Sequence, residues 1–406
     1  MKFNKIVALA FAAVLGFGAQ TANAQSLSPS TKWHWDKGTI VVETPARPAG
    51  QKNVLGLKLP KYKTVRIGLV GLGMRGPGAV DNFCVLPGVE IVALCDFVEA
   101  RAVAQNEKLR KRGLPPAAIY SGENGYKELC ARPDIDLVYI ATDWAHHFPV
   151  AECALKHGKN VADEVPSAMN LEECWKLVDL SEKMQKNCMI LENCCYDWFE
   201  MRTLNMAQHG VFGEILRAQG AYIHNLDDFW DYYWKNPDGS DPEQLGWRLK
   251  YNRENRGDVY ATHGLGPVAQ ALDIHRGDRM DYLVSLTSDG CGTDKMLGRV
   301  NTTLIRTIRG ASIVLQLDVT TMRPYSRLQT VCGTQGYVQK YPLPTLKTVN
   351  TEAILTGEEA LEEMKRFASS EAAELWREGH RKQVPNEMNY TMDCRLIHCL
   401  RKGLPL

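Results

Sequence analysis

Apolar and polar positions follow two different rhythms along this chain. Val65-Arg66-Ile67-Gly68-Leu69-Val70 is a strand-length run that is apolar but for Arg66, and from 64 to about 193 such runs alternate with amphipathic stretches. The pattern predicts strands at 65–70, 89–95, 135–142, 159–162 and 188–192, with helices near 75–86, 99–112, 147–157 and 170–187. Repeated strand–helix–strand order implies an α/β domain with a doubly wound parallel sheet over 64–193. After 194 the rhythm changes. One helix near 198–209 precedes strand-like runs at 215–224, 281–288, 299–308, 311–321 and 328–341, which predict an α+β domain over 194–385 with a mostly antiparallel sheet. The stretch 226–260 is rich in Asp, Asn, Trp and Tyr with little periodicity, too long for a featureless loop, and is expected to line a site. Charged amphipathic helices near 356–380 and 386–402 close the chain and are expected to pack back on the first domain, the last forming a separate C-terminal helix at 386–406.

The N-terminal portion belongs to neither rhythm. Lys2 and Lys5, an apolar run from Ile6 to Phe17, and Ala22-Asn23-Ala24 follow the order of a secretory signal peptide over 1–24, which predicts export to the periplasm or beyond. Residues 25–63, with Pro29, Pro45, Pro48, Pro60 and the triplet Trp33-His34-Trp35, read as an extended arm that could cross to a second subunit of a homo-oligomer.

Composition narrows the partners. Lys and Arg total 48 against 47 Asp and Glu, a net charge of +1 with no basic block, which argues against nucleic acid and acidic membrane surfaces. No later stretch approaches the 18 unbroken apolar residues of a spanning helix, so no membrane insertion is expected. A small molecule or glycan is the expected partner. The 12 Cys fall within apolar strand and helix patterns without a C-x-x-C pair. They read as small core residues, with no metal site expected and one or two disulfides left open.

The first strand runs into Gly71-Leu72-Gly73-Met74-Arg75-Gly76, a G-x-G-x-x-G turn ahead of helical residues. Glycines there let the backbone approach a pyrophosphate, whose charge is met by helix N-terminal amides. The second strand ends in Asp96, twenty residues beyond Gly76, where a carboxylate accepts bonds from ribose hydroxyls. Phe97 and Val98 follow, with no Arg immediately after to hold a 2′-phosphate, so NAD is favoured over NADP. Polar and aromatic residues cluster at later strand ends: Thr142, Asp143, Trp144, His146 and His147; Asp163-Glu164-Val165-Pro166; and Glu192-Asn193-Cys194-Cys195-Tyr196. An exported chain has no external pool to restore a spent cofactor, so its chemistry should return the cofactor to its starting state.

Together these residues resemble the oxidoreductase family of glucose–fructose oxidoreductase, inositol dehydrogenase and MocA-like proteins. Many dehydrogenases of that family have Glu-Lys-Pro where this chain has Glu164-Val165-Pro166, and that Lys helps move the substrate proton. Glu-Val-Pro is the form found in glycoside hydrolase family 109, the NAD-dependent α-N-acetylgalactosaminidases. The resemblance to that branch runs from about 64 to 340, including Leu191 to Tyr196, Gly220 to His224, Thr262 to Ala269 and Arg276-Gly277-Asp278. It implies cofactor contacts at Gly71, Gly73, Met74, Arg75, Gly76, Asp96, Trp144, Ala145, His146, His147, Glu164, Val165 and Asn193. It implies sugar contacts at Tyr222, Arg248, Tyr260, Ala261, Thr262, His263 and Tyr325, and proton transfer by Tyr196 and His263 with Tyr260 beside them. For His263 the alternative is a helix cap, and for Tyr196 a buried core phenol. Departures sit at Asp143, His146, Ala261 and the enlarged 226–247 stretch with Trp230, Tyr232, Tyr233 and Trp234, which leaves the exact sugar and linkage open.

The chemistry implied by the resemblance is hydrolysis through oxidation at C3, elimination, water addition and reduction, with tightly bound NAD recycled in each turnover. Three other classes remain in view: a net NAD-dependent sugar or cyclitol oxidoreductase, a glycan-binding protein without catalysis, and a conventional glycosidase using Glu164, Glu192 or Asp258.

Overall fold

The computed structural model describes residues 32–226, 247–288 and 299–406. The expected signal peptide, the start of the arm and the aromatic cluster Trp230 to Trp234 lie outside the described residues.

A short antiparallel hairpin, β1 (Trp33–Asp36) with β2 (Thr39–Val42), lies within the arm. The rest of the arm runs along the first domain, where the Arg47 guanidinium donates two bonds of 2.7 and 2.8 Å to Glu182.

The first domain contains β3 (Val65–Val70), α1 (Gly76–Val85), β4 (Val89–Asp96), α2 (Glu99–Lys111), β5 (Ala118–Ser121), α3 (Gly125–Ala131), β6 (Leu137–Ile140), α4 (Trp144–Lys156), β7 (Asn160–Asp163), α5 (Leu171–Met184) and β8 (Cys188–Ile190). Its sheet is wholly parallel in the order β5-β4-β3-β6-β7-β8, the arrangement of a dinucleotide-binding sheet. The central strands are almost wholly buried, and apolar except for Arg66 in β3 and Asn160 and Asp163 at the ends of β7, because helices cover both faces. The sheet has one strand more than the hydrophobic pattern predicts. Strand β5 and the short helix α3 follow Pro115-Pro116, and β5, partly buried at the sheet edge, lacks the continuous apolar run of the inner strands.

A 3₁₀ turn (Asn193–Tyr196) leads into α6 (Trp198–Gln208) and β9 (Ile215–Ile223). Then come α7 (Trp247–Glu254), α8 (Thr262–Ala271), β10 (Met280–Ser288), β11 (Val300–Thr307), β12 (Ser312–Asp318), β13 (Thr330–Gly333), β14 (Gly336–Gln339), β15 (Thr345–Thr348) and β16 (Leu355–Thr356). These strands form one sheet, β10-β11-β12-β9-β13-β14-β15-β16, antiparallel except between β12 and β9. The predicted single run 328–341 is a hairpin turned at Thr334-Gln335, and the predicted helix 356–380 is two, α9 (Glu358–Lys365) and α10 (Ser370–Arg381). Within the aperiodic stretch, residues 247–254 form α7.

The chain ends in α11 (Glu387–Lys402), whose first turn is capped by the Asn386 side chain accepting from the Asn389 N–H at 3.1 Å. Tyr390, Met392, Leu396, Ile397 and Leu400 of α11 share one core with Val65, Ile67 and Leu69 of β3. The last helix is therefore part of the first domain's packing, as its amphipathic pattern predicts.

Candidate active site

The glycine turn sets the geometry of the cofactor side. Gly71 has φ +92°, and a Cβ there would lie 2.4 Å from the Ala141 carbonyl, so only glycine lets the turn touch the end of β6. Gly73, in contrast, faces open space, its nearest neighbour being the Arg101 guanidinium 3.6 Å from where a Cβ would sit. No side chain caps α1, and the Gly78 and Ala79 amides donate to the Arg75 carbonyl at 3.1 and 3.3 Å, so the helix start offers an anionic ligand mainly the positive end of its dipole. Asp96 ends β4, with Oδ2 accepting the Leu72 N–H at 2.6 Å and Oδ1 accepting the Val98 N–H at 2.9 Å. These residues fit a dinucleotide: an open cradle beside the turn, and a nearly buried carboxylate where a ribose lies. Arg101, beyond the residues that follow Asp96 directly, reaches that carboxylate at 3.4 Å and is neutralised by it. Gly71→Ala should cost about 1–3 kcal/mol from the strained φ alone, before the clash. A urea midpoint and the NAD content of the purified variant would check this, and an unchanged value of both would contradict it.

Met74 is half-exposed at the cradle's edge. Arg75 donates to Glu164 at 3.2 Å and to the Asn389 side-chain oxygen at 3.2 Å, and Asn193 donates to the same oxygen at 2.7 Å. Asn389 thus ties three elements together from α11, 196 residues from Asn193. Val165 is buried at the start of the turn after β7. Asp143 caps α4 by accepting the Ala145 N–H at 3.1 Å and pairs with His146 at 2.7 Å. His147 is buried with its ring nitrogens against the Pro166 and Thr142 carbonyls at 2.7 and 3.1 Å, so its ring is spent on holding two loops together.

An aromatic wall stands opposite. Trp144 stacks on Tyr260 with centroids 5.4 Å apart and meets Trp247 and Tyr251 edge-on at 5.3 and 5.2 Å. The Arg248 guanidinium lies 5.2 Å from both the Trp144 and Tyr260 centroids, a position suited to bonding sugar hydroxyls beside flat apolar faces. Tyr222 packs on Tyr260 at 5.0 Å and on His263 at 5.3 Å. The Tyr222 hydroxyl lies 3.2 Å from His224, whose ring meets Tyr325 at 5.1 Å. Ala261 and Thr262 lead into α8 below this wall.

The centre of the cluster is a dyad. His263 Nδ1 lies 2.7 Å from Glu192 Oε1, both largely buried. Burial alone would raise the Glu192 carboxyl, but the His263 imidazole and the hydrogen bond from the Cys194 N–H outweigh it and hold the group below its ordinary range. An ionised Glu192 accepts the Nδ1 proton, which leaves the Nε2 lone pair as the basic position. Backbone contact makes this possible: a Cβ on Gly264 would lie 2.4 Å from the Ala221 nitrogen, so α8 rests directly on β9. From sequence Glu192 is a strand-end carboxylate and a candidate for conventional glycosidase chemistry, with no partner indicated. Its partnership across 71 residues is a product of the fold.

Of the three expected proton-transfer residues, the structure brings His263 and Tyr260 together, with centroids 4.8 Å apart. It does not bring Tyr196 to them. That ring packs against the core shared by β3 and α11, and among the described residues no hydrogen bond or ring contact joins it to Tyr260 or His263. Desolvation raises both the Tyr196 and Tyr260 hydroxyls above the ordinary phenol value. Tyr196 is partly buried against that core. Burial also pushes Asp258 up to about 6, while its carboxylate accepts the Tyr260 N–H at 3.1 Å.

Beneath Tyr325 lies a four-charge group that the sequence did not point to. Arg327 donates to Asp197 at 2.6 Å and Glu200 at 2.7 Å, Lys340 to the same pair at 2.6 and 2.8 Å, and Arg327 also donates to the Tyr325 hydroxyl at 3.2 Å. Among the described residues, Glu192, Cys194 and His263 also form a group whose ligand atoms lie within 4.8 Å of one another.

A dinucleotide cradle on a parallel sheet, facing an aromatic, Arg-bearing wall with a Glu–His dyad, defines a two-domain enzyme that uses a nicotinamide cofactor on a polyhydroxylated substrate. Residues 65–192 match the oxidoreductase family with an NAD-binding Rossmann fold, and residues 196–406 match the C-terminal domain of glycosyl hydrolase 109. The chain belongs to glycosyl hydrolase family 109 and is a glycoside hydrolase. It is 54% identical to glycosyl hydrolase family 109 protein 5 of Phocaeicola vulgatus, over 95% of this chain and 79% of that one. It is 49% identical to an α-N-acetylgalactosaminidase of Bacteroides fragilis, over 88% of this chain and 87% of that one. In fold it is similar to an oxidoreductase domain protein of Kribbella flavida, with TM-score 0.62 and 17% identity over 84% of this chain and 91% of that one.

Proposed function

We propose that this glycosidase hydrolyses terminal α-N-acetylgalactosaminides, with NAD held through the cycle and returned to its starting state in each turnover. The Glu192–His263 dyad carries the reading, because it puts a base, oriented by an ionised carboxylate, in the aromatic sugar pocket. The name of the Bacteroides fragilis relative supports the choice of sugar. Bound NAD supplies reversible hydride acceptance at C3, which makes the C2 proton acidic and later restores the sugar. His263 Nε2 takes the C2 proton, and Glu192 stabilises the imidazolium that forms. Arg248 and the Tyr222 hydroxyl hold sugar oxygens, while Trp144 and Tyr260 give one flat face and exclude water. Loss of the C1 aglycone, addition of water and return of the proton to C2 complete hydrolysis without the paired carboxylates of most glycosidases. Export, expected from residues 1–24, belongs to the same proposal, since a cofactor that is recycled in place needs no external pool.

Hydrolysis of an α-N-acetylgalactosaminide in deuterated water should place deuterium at C2 of the released sugar without accumulation of NADH. Purified protein should carry close to one NAD per chain. Release of the sugar without deuterium at C2 would overturn the mechanism, and steady growth of 340 nm absorbance with a free sugar would identify a net dehydrogenase instead.

A further inference from the structure

Asn389, in the first turn of α11, is not among the residues expected to touch the cofactor, yet its side chain closes a chain of bonds across the crevice. Its Oδ1 accepts from Arg75 at 3.2 Å and from Asn193 at 2.7 Å, while Arg75 also donates to Glu164 at 3.2 Å. Arg75 stands at the glycine turn directly before α1, and Asn193 opens the short helix after β8. One turn further along α11, buried Asp393 accepts from the Asn82 side chain of α1 at 2.8 Å, so the same face of the last helix is fixed to α1 as well. A guanidinium only donates, so Asn389 must present its oxygen to Arg75. That oxygen fixes the Asn193 amide with Nδ2 toward it and leaves Asn193 Oδ1 as an acceptor, which Cys194 Sγ approaches at 3.5 Å.

Sheet order says which parts of a dinucleotide these two residues meet. In β5-β4-β3-β6-β7-β8, Asp96 ends β4 on the ribose side and the glycine turn follows β3 at the pyrophosphate. A cofactor laid across that turn extends its nicotinamide toward the β7–β8 edge, where Asn193 stands. We infer, on the reading that NAD stays bound through each turnover, that Asn389 is a positioning residue for the cofactor. It ties the pyrophosphate turn to the nicotinamide edge through one shared oxygen, so α11, at the far end of the chain, sets how tightly NAD is held. Without that oxygen Arg75 keeps Glu164, but the Asn193 amide loses the acceptor that orients it, and the two sides of the crevice lose their common anchor. The Asp96 side takes no bond from Asn389 and should be untouched.

The test compares the full chain with Asn389→Leu and Asn389→Asp, each checked for a native urea midpoint, freed of NAD by dialysis and titrated calorimetrically with NAD and with AMP. Asn389→Leu, similar in size but without an acceptor, should bind NAD about tenfold or more weakly, the scale of one lost charge-assisted hydrogen bond, while AMP, which needs only the Asp96 side, binds as in wild type. Asn389→Asp keeps an oxygen for both donors and should hold NAD close to the wild-type affinity. A Leu variant with wild-type NAD affinity, or one that loses NAD and AMP alike, would overturn the inference, as would an Asp variant as weak as the Leu one. Asn389→Ala should show the same split between NAD and AMP where the Leu variant folds poorly. Wild-type protein purified without NAD would overturn retention through the cycle, and the ratio of variant to wild-type affinity still decides the role of Asn389.

Discussion

His263→Ala is expected to lower kcat by about 10²–10⁴-fold, the range for removal of a positioned acid–base group, with little change in KM. The asymmetry follows from what the ring touches. Tyr222 and Tyr260 touch His263 but also each other, and Tyr260 stacks on Trp144, so the sugar wall keeps ring contacts of its own when the imidazole is removed. The proton at C2, however, loses its acceptor, because the buried Tyr260 phenol beside it is held protonated. Glu192→Gln separates positioning from proton transfer. Its amide oxygen can still accept the Nδ1–H, but a neutral group no longer stabilises the imidazolium, so kcat should fall less than in His263→Ala. Steady-state kinetics with an aryl α-N-acetylgalactosaminide would measure both. A His263→Ala variant that keeps wild-type kcat would remove the dyad from the chemistry.

Arg327→Met is expected to destabilise the protein by about 3–5 kcal/mol, the cost of breaking a buried ion pair from one side. Arg327 is nearly inaccessible, and without it Asp197 and Glu200 would share Lys340 alone. The sign of the pH dependence can be worked out. Burial raises Asp197, but Lys340 and Arg327 outweigh it and hold the group below its ordinary range, so it contributes stability above the unfolded carboxylate range and loses it as pH falls. Glu200 is raised by burial and by Asp197, so its folded form favours the proton and gains stability in the same direction of falling pH. Removing Arg327 raises both carboxyls. The gap between variant and wild type should therefore be widest at neutral pH, start to narrow above the ordinary carboxylate range as the variant's raised carboxyls take up protons, and continue to narrow below it until wild-type Asp197 is protonated. Urea midpoints across pH would check this, and a constant gap would contradict it. The variant also frees the Tyr325 hydroxyl from the Arg327 guanidinium, so a raised KM should accompany the lost stability.

Local pattern carried much of the fold. The apolar runs of β3, β4, β6, β7 and β8 and the glycine turn were legible because a strand buried on both faces needs apolar residues whichever helices cover it. Strand β5 was not, because Ala118–Ser121 is an edge strand that is only partly buried and so needs no continuous apolar run. The cofactor side was legible for a related reason. Gly71 and Asp96 act through the backbone of one continuous βαβ unit, so their spacing along the chain reflects their spacing in the structure.

The catalytic pairing is of another kind. His263 was in view by resemblance, but whether it was base or helix cap depended on Glu192, 71 residues away, and on α8 touching β9 at Gly264. Tyr196, adjacent in sequence to the strand end that carries Glu192, turns to the α11 side of the same short helix. Asn389 and Arg327 reach the site from 196 and 130 residues beyond their partners Asn193 and Asp197, and α11 brings the first of them back to a domain it left long before. Taken alone, the sequence determined the cofactor class, the two-domain order and the family, since periodicity and backbone-level turns are properties of contiguous residues. Only the tertiary structure pairs His263 with Glu192, the contact on which the proposed base rests. Such contacts depend on burial and on distances of about 3 Å between residues that the chain itself keeps far apart.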